Sequence, residues 1–155
     1  MQTNLGGIVN YIVNKGLKLK NKFTDAKNVP VEFACIFCQS EDEYQNLDHL
    51  VGERGDAVQE TSSGKVYLLD QSIQTKAGPL KLLKVRKPDP VRKERGDADF
   101  NTSYVAFKEK YGSNPKFELI KRDTFEMLRL SDPKFDVMAC FSSIPLSKDL
   151  GIKID

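Results

Sequence analysis

Apolar positions along this chain follow two periods, one helical and one alternating, and the two succeed each other in a fixed order. Residues 4–14 carry Leu5, Ile8, Val9, Ile12 and Val13 at helical spacing, so a short helix is expected there, with Gly16 as its stop. Residues 17–20, Leu-Lys-Leu-Lys, alternate like a strand, and Asn28-Val29-Pro30 marks a break before the main domain. Residues 31–37 are a strand by their β-branched and aromatic content. Ser40 and Glu43 make a capping box, and the helix they open carries Tyr44, Leu47, Leu50 and Val51 on one stripe before Gly52 ends it. Residues 56–61 and 65–70 are two short strands joined by Ser62-Ser63-Gly64, and 79–86 is a fourth strand.

The order strand, helix, three strands then returns. A strand over 97–101 precedes a helix capped by Thr102 or Ser103, with Tyr104, Phe107 and Tyr111 on one face and Gly112 after them. Strands over 116–122, 124–130 and 134–141 follow. At an offset of about 60 the two helices superpose, Tyr44 on Tyr104, Leu47 on Phe107, Val51 on Tyr111 and Gly52 on Gly112. The same offset sets 56–60 on 116–120 and 66–70 on 126–130. The pattern therefore predicts an α+β fold of two tandem β-α-β-β-β units, over 31–87 and 96–142. An N-terminal helical extension (1–30) precedes them and a tail (143–155) follows.

Composition narrows the function classes. The 155 residues, 39% hydrophobic and 30% charged, suit one globular domain with a core of its own, and no uncharged run reaches the length of a membrane span. Lys and Arg number 24 against 22 Asp and Glu, a balance too even to suggest nucleic-acid binding. The basic character is local, since residues 1–30 hold five Lys and one Asp. An odd count of three Cys, with nothing resembling a cleavable signal, points to a reducing cytoplasmic setting. The single His excludes the commonest zinc and non-haem iron sites.

Two consecutive units of this kind resemble the vicinal oxygen chelate superfamily, whose glyoxalase- and dioxygenase-like members fold each unit into half of a cup-shaped mixed sheet, with helices outside and a ligand or metal within. The resemblance covers about three quarters of the chain, and rests on topology rather than on a diagnostic motif. It implies ligands on the first and last strands of each unit, facing the cup. There this chain offers Glu32-Phe33, Arg86, Asp97 or Asp99, and Asp136. A cation at a ligand position repels a divalent ion, so the family metal site is expected to be lost and no cofactor is expected. The alternative is a lyase, isomerase or dioxygenase-like enzyme with magnesium or manganese on Glu32, Asp97, Asp99 and Asp136.

Strand alternation sets Lys84 and Arg86 on one face against Leu83 and Val85 on the other, and Asp97 and Asp99 against Ala98 and Phe100. With the apolar faces under the helices, the charged ones line the cup. One reading has Lys84 and Arg86 binding a small anionic molecule, a carboxylate or phosphate, with Asp97 beside them and Asp99 orienting it or acting as base. The other has Arg86 paired with Asp97 or Asp99 in a structural cluster. A third function, a protein-interaction module or homodimer, would work through the N-terminal helix. Cys35, Cys38 and Cys140 are expected to be buried structural thiols, His49 an exposed helical residue, and the two Arg-Gly-Asp triplets (from Arg54 and Arg95) turns. The basic stretch from Lys84 to Arg95 is read as a solvated connection between the units.

Overall fold

The computed structural model describes residues 4–154 as four helices and eight strands in one mixed sheet. In chain order these are α1 (Leu5–Phe23), β1 (Val31–Phe37), α2 (Glu41–Gly52), β2 (Gly55–Thr61), β3 (Gly64–Thr75), β4 (Gly78–Arg86), β5 (Gly96–Phe100), α3 (Tyr104–Tyr111), β6 (Phe117–Lys121), β7 (Glu126–Leu130), β8 (Val137–Ser142) and α4 (Leu146–Asp149). The strand order β2-β3-β4-β1-β5-β8-β7-β6 has the same internal arrangement in both halves. Each unit's first strand pairs parallel with its fourth, β1 with β4 and β5 with β8. The halves meet where β1 and β5 run antiparallel. The two predicted β-α-β-β-β units are thus present, and the sheet they form is open at β2 and β6 and cup-like.

The N-terminal segment differs from the reading above. The helix does not stop at Gly16 but runs on to Phe23, and residues 17–20 form no strand. Its buried positions Leu5, Val9, Ile12, Val13, Gly16, Leu19 and Lys20 keep helical spacing throughout. Glycine at 16 serves a close approach: a Cβ there would lie 3.2 Å from Ala98 Cβ and 3.4 Å from the Phe100 ring. Lys20, fully buried, donates from Nζ to Asn21 Oδ1 (2.7 Å) and to the Ala26 carbonyl, and lies 5.9 Å from the Phe100 ring centroid. Thr24 ends the helix, its N–H and hydroxyl both donating to the Lys20 carbonyl. The helix lies against β1, β5 and β8, so its apolar stripe is buried in this chain's own core rather than left for a partner.

Helices α1, α2 and α3 all cover the same face of the sheet. Beneath them Ala34 and Ile36 of β1, Tyr67 and Leu69 of β3, Leu83 and Val85 of β4, Ala98 and Phe100 of β5, Leu128 and Leu130 of β7, and Ala139 and Phe141 of β8 join one core with α1, α2 and α3. The repeat offset holds for the helices, where Tyr44, Leu47 and Val51 are matched by Tyr104, Phe107 and Tyr111 in the core. It fails in the strands. Tyr67 and Leu69 enter the core as Leu128 and Leu130 do, an offset of 61, and a slip of one residue exchanges the faces of a strand. Ser40 Oγ accepts from the Glu43 N–H (3.1 Å) as the capping box requires, but the Glu43 carboxylate turns to the Gln39 N–H and, bidentate, to Arg95 at 2.8 and 2.9 Å. Arg95 thereby ties the inter-unit connection to unit one.

Both Arg-Gly-Asp triplets open strands instead of making turns at their glycines. A Cβ on Gly55 would lie 2.4 Å from the Leu68 carbonyl oxygen, and one on Gly96 would lie 2.3 Å from that of Cys35. Glycine is needed there because another strand's backbone passes too close for any side chain. Gly96→Ala is therefore expected to loosen the joint between the units and lower stability by about 2–3 kcal/mol in urea unfolding. An unchanged midpoint would contradict this close approach.

Candidate functional site

The uncovered face forms a cavity of about 800 Å³ lined by both units. From unit one come Phe33, Cys35 and Phe37 (β1), Gln59 and Thr61 (β2), Ser63, Val66 (β3), and Lys84 and Arg86 (β4). Unit two contributes Asp97 and Asp99 (β5), Met127 and Arg129 (β7), Cys140 and Ser142 (β8), and the 121–125 turn, while α4 closes one side. Strand register explains the grouping. Cys35 stands opposite Lys84 on one side and Asp97 on the other, and Phe33 opposite Asp99, which in turn faces Cys140 and then Arg129. All four residues expected to line the cup from alternation, Lys84, Arg86, Asp97 and Asp99, are brought together in it.

Their partners are not those anticipated. Arg86 pairs with neither floor aspartate; its Nη2 donates to Asp89 Oδ2 (3.1 Å) in the Pro88-Asp89-Pro90 connection, and its guanidinium lies 4.8 Å from the Phe37 ring centroid. Arg86 Nε is buried without a hydrogen-bond partner among the described residues. Lys84 Nζ donates to two hydroxyls, Ser63 Oγ at 2.7 Å and Thr61 Oγ1 at 3.0 Å, and to no carboxylate. Burial lowers its pKa; Arg86 and Arg122 add to the effect, while Cys35 and the Asp97 carboxyl oppose it. Asp97 forms no ion pair within the described residues. Burial pushes its carboxyl up to about 6, against the pull of Arg129, Arg86, Lys84 and Arg92. Burial likewise pushes Asp99 up to about 7; Asp97 and Glu32 add to this, and the Ser142 hydroxyl, donating at 2.9 Å to Oδ2, opposes it.

The residues available for a divalent ion do not fit one. Asp136 precedes β8 instead of lying within it, and its Oδ2 accepts from Tyr11 OH of α1 at 2.5 Å, on the helix side of the sheet. The register shift between Val31 and Phe33 takes Glu32 out of simple alternation. Its two oxygens are occupied by Asn101 Nδ2 (2.9 Å) and by the Ser147 N–H of α4 (2.8 Å). Only Asp97 and Asp99 of the proposed four share the cavity, in the company of Lys84 and Arg86, and no three His, Cys, Asp or Glu gather for a metal among the described residues. No step through a metal follows from this arrangement.

The other expectations resolve simply. Cys35, Cys38 and Cys140 are buried and unpaired, and burial raises each thiol, Cys38 to about 12 with Glu43 assisting. His49 is exposed on α2 beside Glu53 at 3.1 Å. Arg129 escaped the sequence reading, yet it lines the cavity, only 15% exposed, with its Nη2 donating to the outward-lying Glu118 at 2.7 Å. Alternation in Met127-Leu128-Arg129-Leu130, which sets Arg129 on the face opposite the core residues Leu128 and Leu130, is the signal that could find it. Among the described residues no helix is long and apolar enough to cross a membrane.

No family model and no curated protein matches this chain. Its fold is similar to that of a solved structural-genomics protein, Protein EC4020, with a TM-score of 0.71 over 97% of each chain at 11% sequence identity. That likeness concerns the fold alone.

The floor carboxyls make stability depend on pH. Each has a folded-state pKa above its unfolded value, so its stabilising contribution is complete below about pH 4 and is lost as pH rises through about 6 for Asp97 and about 7 for Asp99. Urea unfolding between pH 5 and 8 is expected to show the wild type losing about 2–3 kcal/mol relative to Asp99→Asn, which keeps the Ser142 partner but cannot ionise. Parallel pH curves for the two proteins would refute a buried, titrating Asp99.

Proposed function

We propose that this chain is a small-molecule-binding module of the vicinal oxygen chelate type, without the family's metal site, whose cup takes up an anion through Lys84 and Arg86. One observation carries this reading: Lys84 is a half-buried cation turned to the cavity and held there by hydroxyls rather than a carboxylate. A lysine placed only for packing stability is usually paired or solvated, because burying a charge without a counter-ion costs free energy. Thr61 and Ser63 orient the ammonium without neutralising it. Arg86 adds a planar donor braced on Phe37, with one N–H still free of a protein acceptor.

A carboxylate or phosphate oxygen in this cup would supply the missing negative charge and restore the Lys84 pKa toward its ordinary value. The paired βαβββ topology supports the family reading, and the lining side chains support the ligand class. The floor carboxyls, held above the usual carboxylate range, weaken the repulsion that two full charges would exert on such a ligand near neutral pH.

Thermal unfolding with phosphate, sulfate and small carboxylates at fixed ionic strength tests the reading. An anion about tenfold above its Kd should raise Tm by roughly 3–6 °C, and Lys84→Met and Arg86→Gln should each remove most of that rise. Failure of every anion to stabilise, or equal stabilisation of both variants, would overturn it.

A further inference from the structure

The cup is charged at both walls, and this bears on what kind of anion it accepts; the inference rests on the anion-binding reading above. Lys84 and Arg86 stand on β4, on one side of the β1–β5 joint, and Arg129 stands on β7, on the other, where Lys121, Arg122 and Asp123 at the β6–β7 turn also line the cavity. Between them, on β5, lie the Asp97 and Asp99 carboxyls. Arg129, Arg86 and Lys84 all act on Asp97, which places the aspartate within electrostatic reach of both walls. Among the described residues Arg129 is tied through Nη2 alone, to a Glu118 that is 64% exposed. A pair with so exposed a partner contributes little and yields readily to a better-placed acceptor. Ser142 adds a hydroxyl on that wall, as Thr61 and Ser63 do on the other.

We propose that the ligand is a dianion with its charges at its two ends, one end bound by Lys84 and Arg86 and the other by Arg129, and with an uncharged middle over Asp97 and Asp99. The walls attract negative charge, and the floor repels it to the extent that Asp97 and Asp99 are ionised. A single anionic group bound at one wall leaves the cations of the other wall without a ligand partner. A ligand charged along its whole length would place one charge against the floor. Terminal dicarboxylates, or acids bearing a phosphate at the far end, satisfy both requirements.

Titration calorimetry with the full chain can separate these cases, using pentanoate, the series malonate, succinate, glutarate and adipate, and propane-1,2,3-tricarboxylate. The best dicarboxylate of the series should bind at least about tenfold more tightly than pentanoate, and the tricarboxylate, with its central charge, should bind no more tightly than glutarate. Arg129→Gln should bring the dicarboxylate down to the level of pentanoate while weakening pentanoate far less, and Arg129→Lys should retain part of the difference. Ligand-free Tm values establish that the variants fold. Dicarboxylates no better than pentanoate, a tricarboxylate that exceeds glutarate, or equal loss of both ligand types in Arg129→Gln would each overturn the dianion while leaving the anion cup standing. If no acid and no phosphate binds at all, the anion cup fails first and the dianion with it.

Discussion

The antiparallel pairing of β1 with β5 is the contact on which the rest of the structure depends. It joins the two units, and its register decides which side chains meet helices and which meet the cavity. On the helix side it sets Ala34 and Ile36 beside Ala98 and Phe100, and α1 lies across them closely enough to require Gly16. On the other side it sets Cys35 against Asp97 and Phe33 against Asp99. Burying the first set in the core fixes the second set in the cup floor, because the side-chain period of a strand is two. The polar floor is thus a consequence of how the apolar face is satisfied. Its energetic mark is the upward displacement of both carboxyls, since each pKa unit corresponds to about 1.4 kcal/mol against the charged form.

Much of this was legible in the sequence because it is written in local signals. The helix stripes at Tyr44-Leu47-Val51 and Tyr104-Phe107-Tyr111, their glycine ends and the order of strands between them gave both units. Alternation around Val85 and around Ala98 placed Lys84, Arg86, Asp97 and Asp99 on one face. What alternation cannot supply is the identity of a partner across space. Arg86 turns to Asp89, three residues along, rather than to the aspartates on the floor, because a loop held by two prolines brings that carboxylate within reach. Asp136, adjacent to a strand in sequence, falls to the far face, where Tyr11 claims it.

Three misreadings share one physical origin, the assumption that a local pattern has a single cause. Gly16 has the look of a helix stop, although glycine also serves where a helix packs closely on side chains of another element, as here on Ala98 and Phe100. Leu17-Lys18-Leu19-Lys20 looked like a strand because Lys20 was counted as polar, whereas its stem lies in the core and its ammonium is satisfied by a carbonyl and an amide. The helix offset of 60 was extended to the strands. A helix tolerates such an extension with a rotation of about 100° per residue, while a strand shifted by one residue exchanges its two faces.

The likeness between the units stops at the backbone, and the difference has a consequence for recognition. Corresponding first strands contribute Phe33, Cys35 and Phe37 from unit one, but Asp97 and Asp99 from unit two. The wall cations also come from different places, the fourth strand of unit one and the third strand of unit two. Unit one thus presents an apolar floor with two cations beside it, and unit two presents carboxyls with Lys121, Arg122 and Arg129 around them. A two-fold scaffold with such unequal halves cannot bind an extended ligand equally well in both directions. Shape comes from the repeat, and direction comes from the residues at which the repeat has diverged.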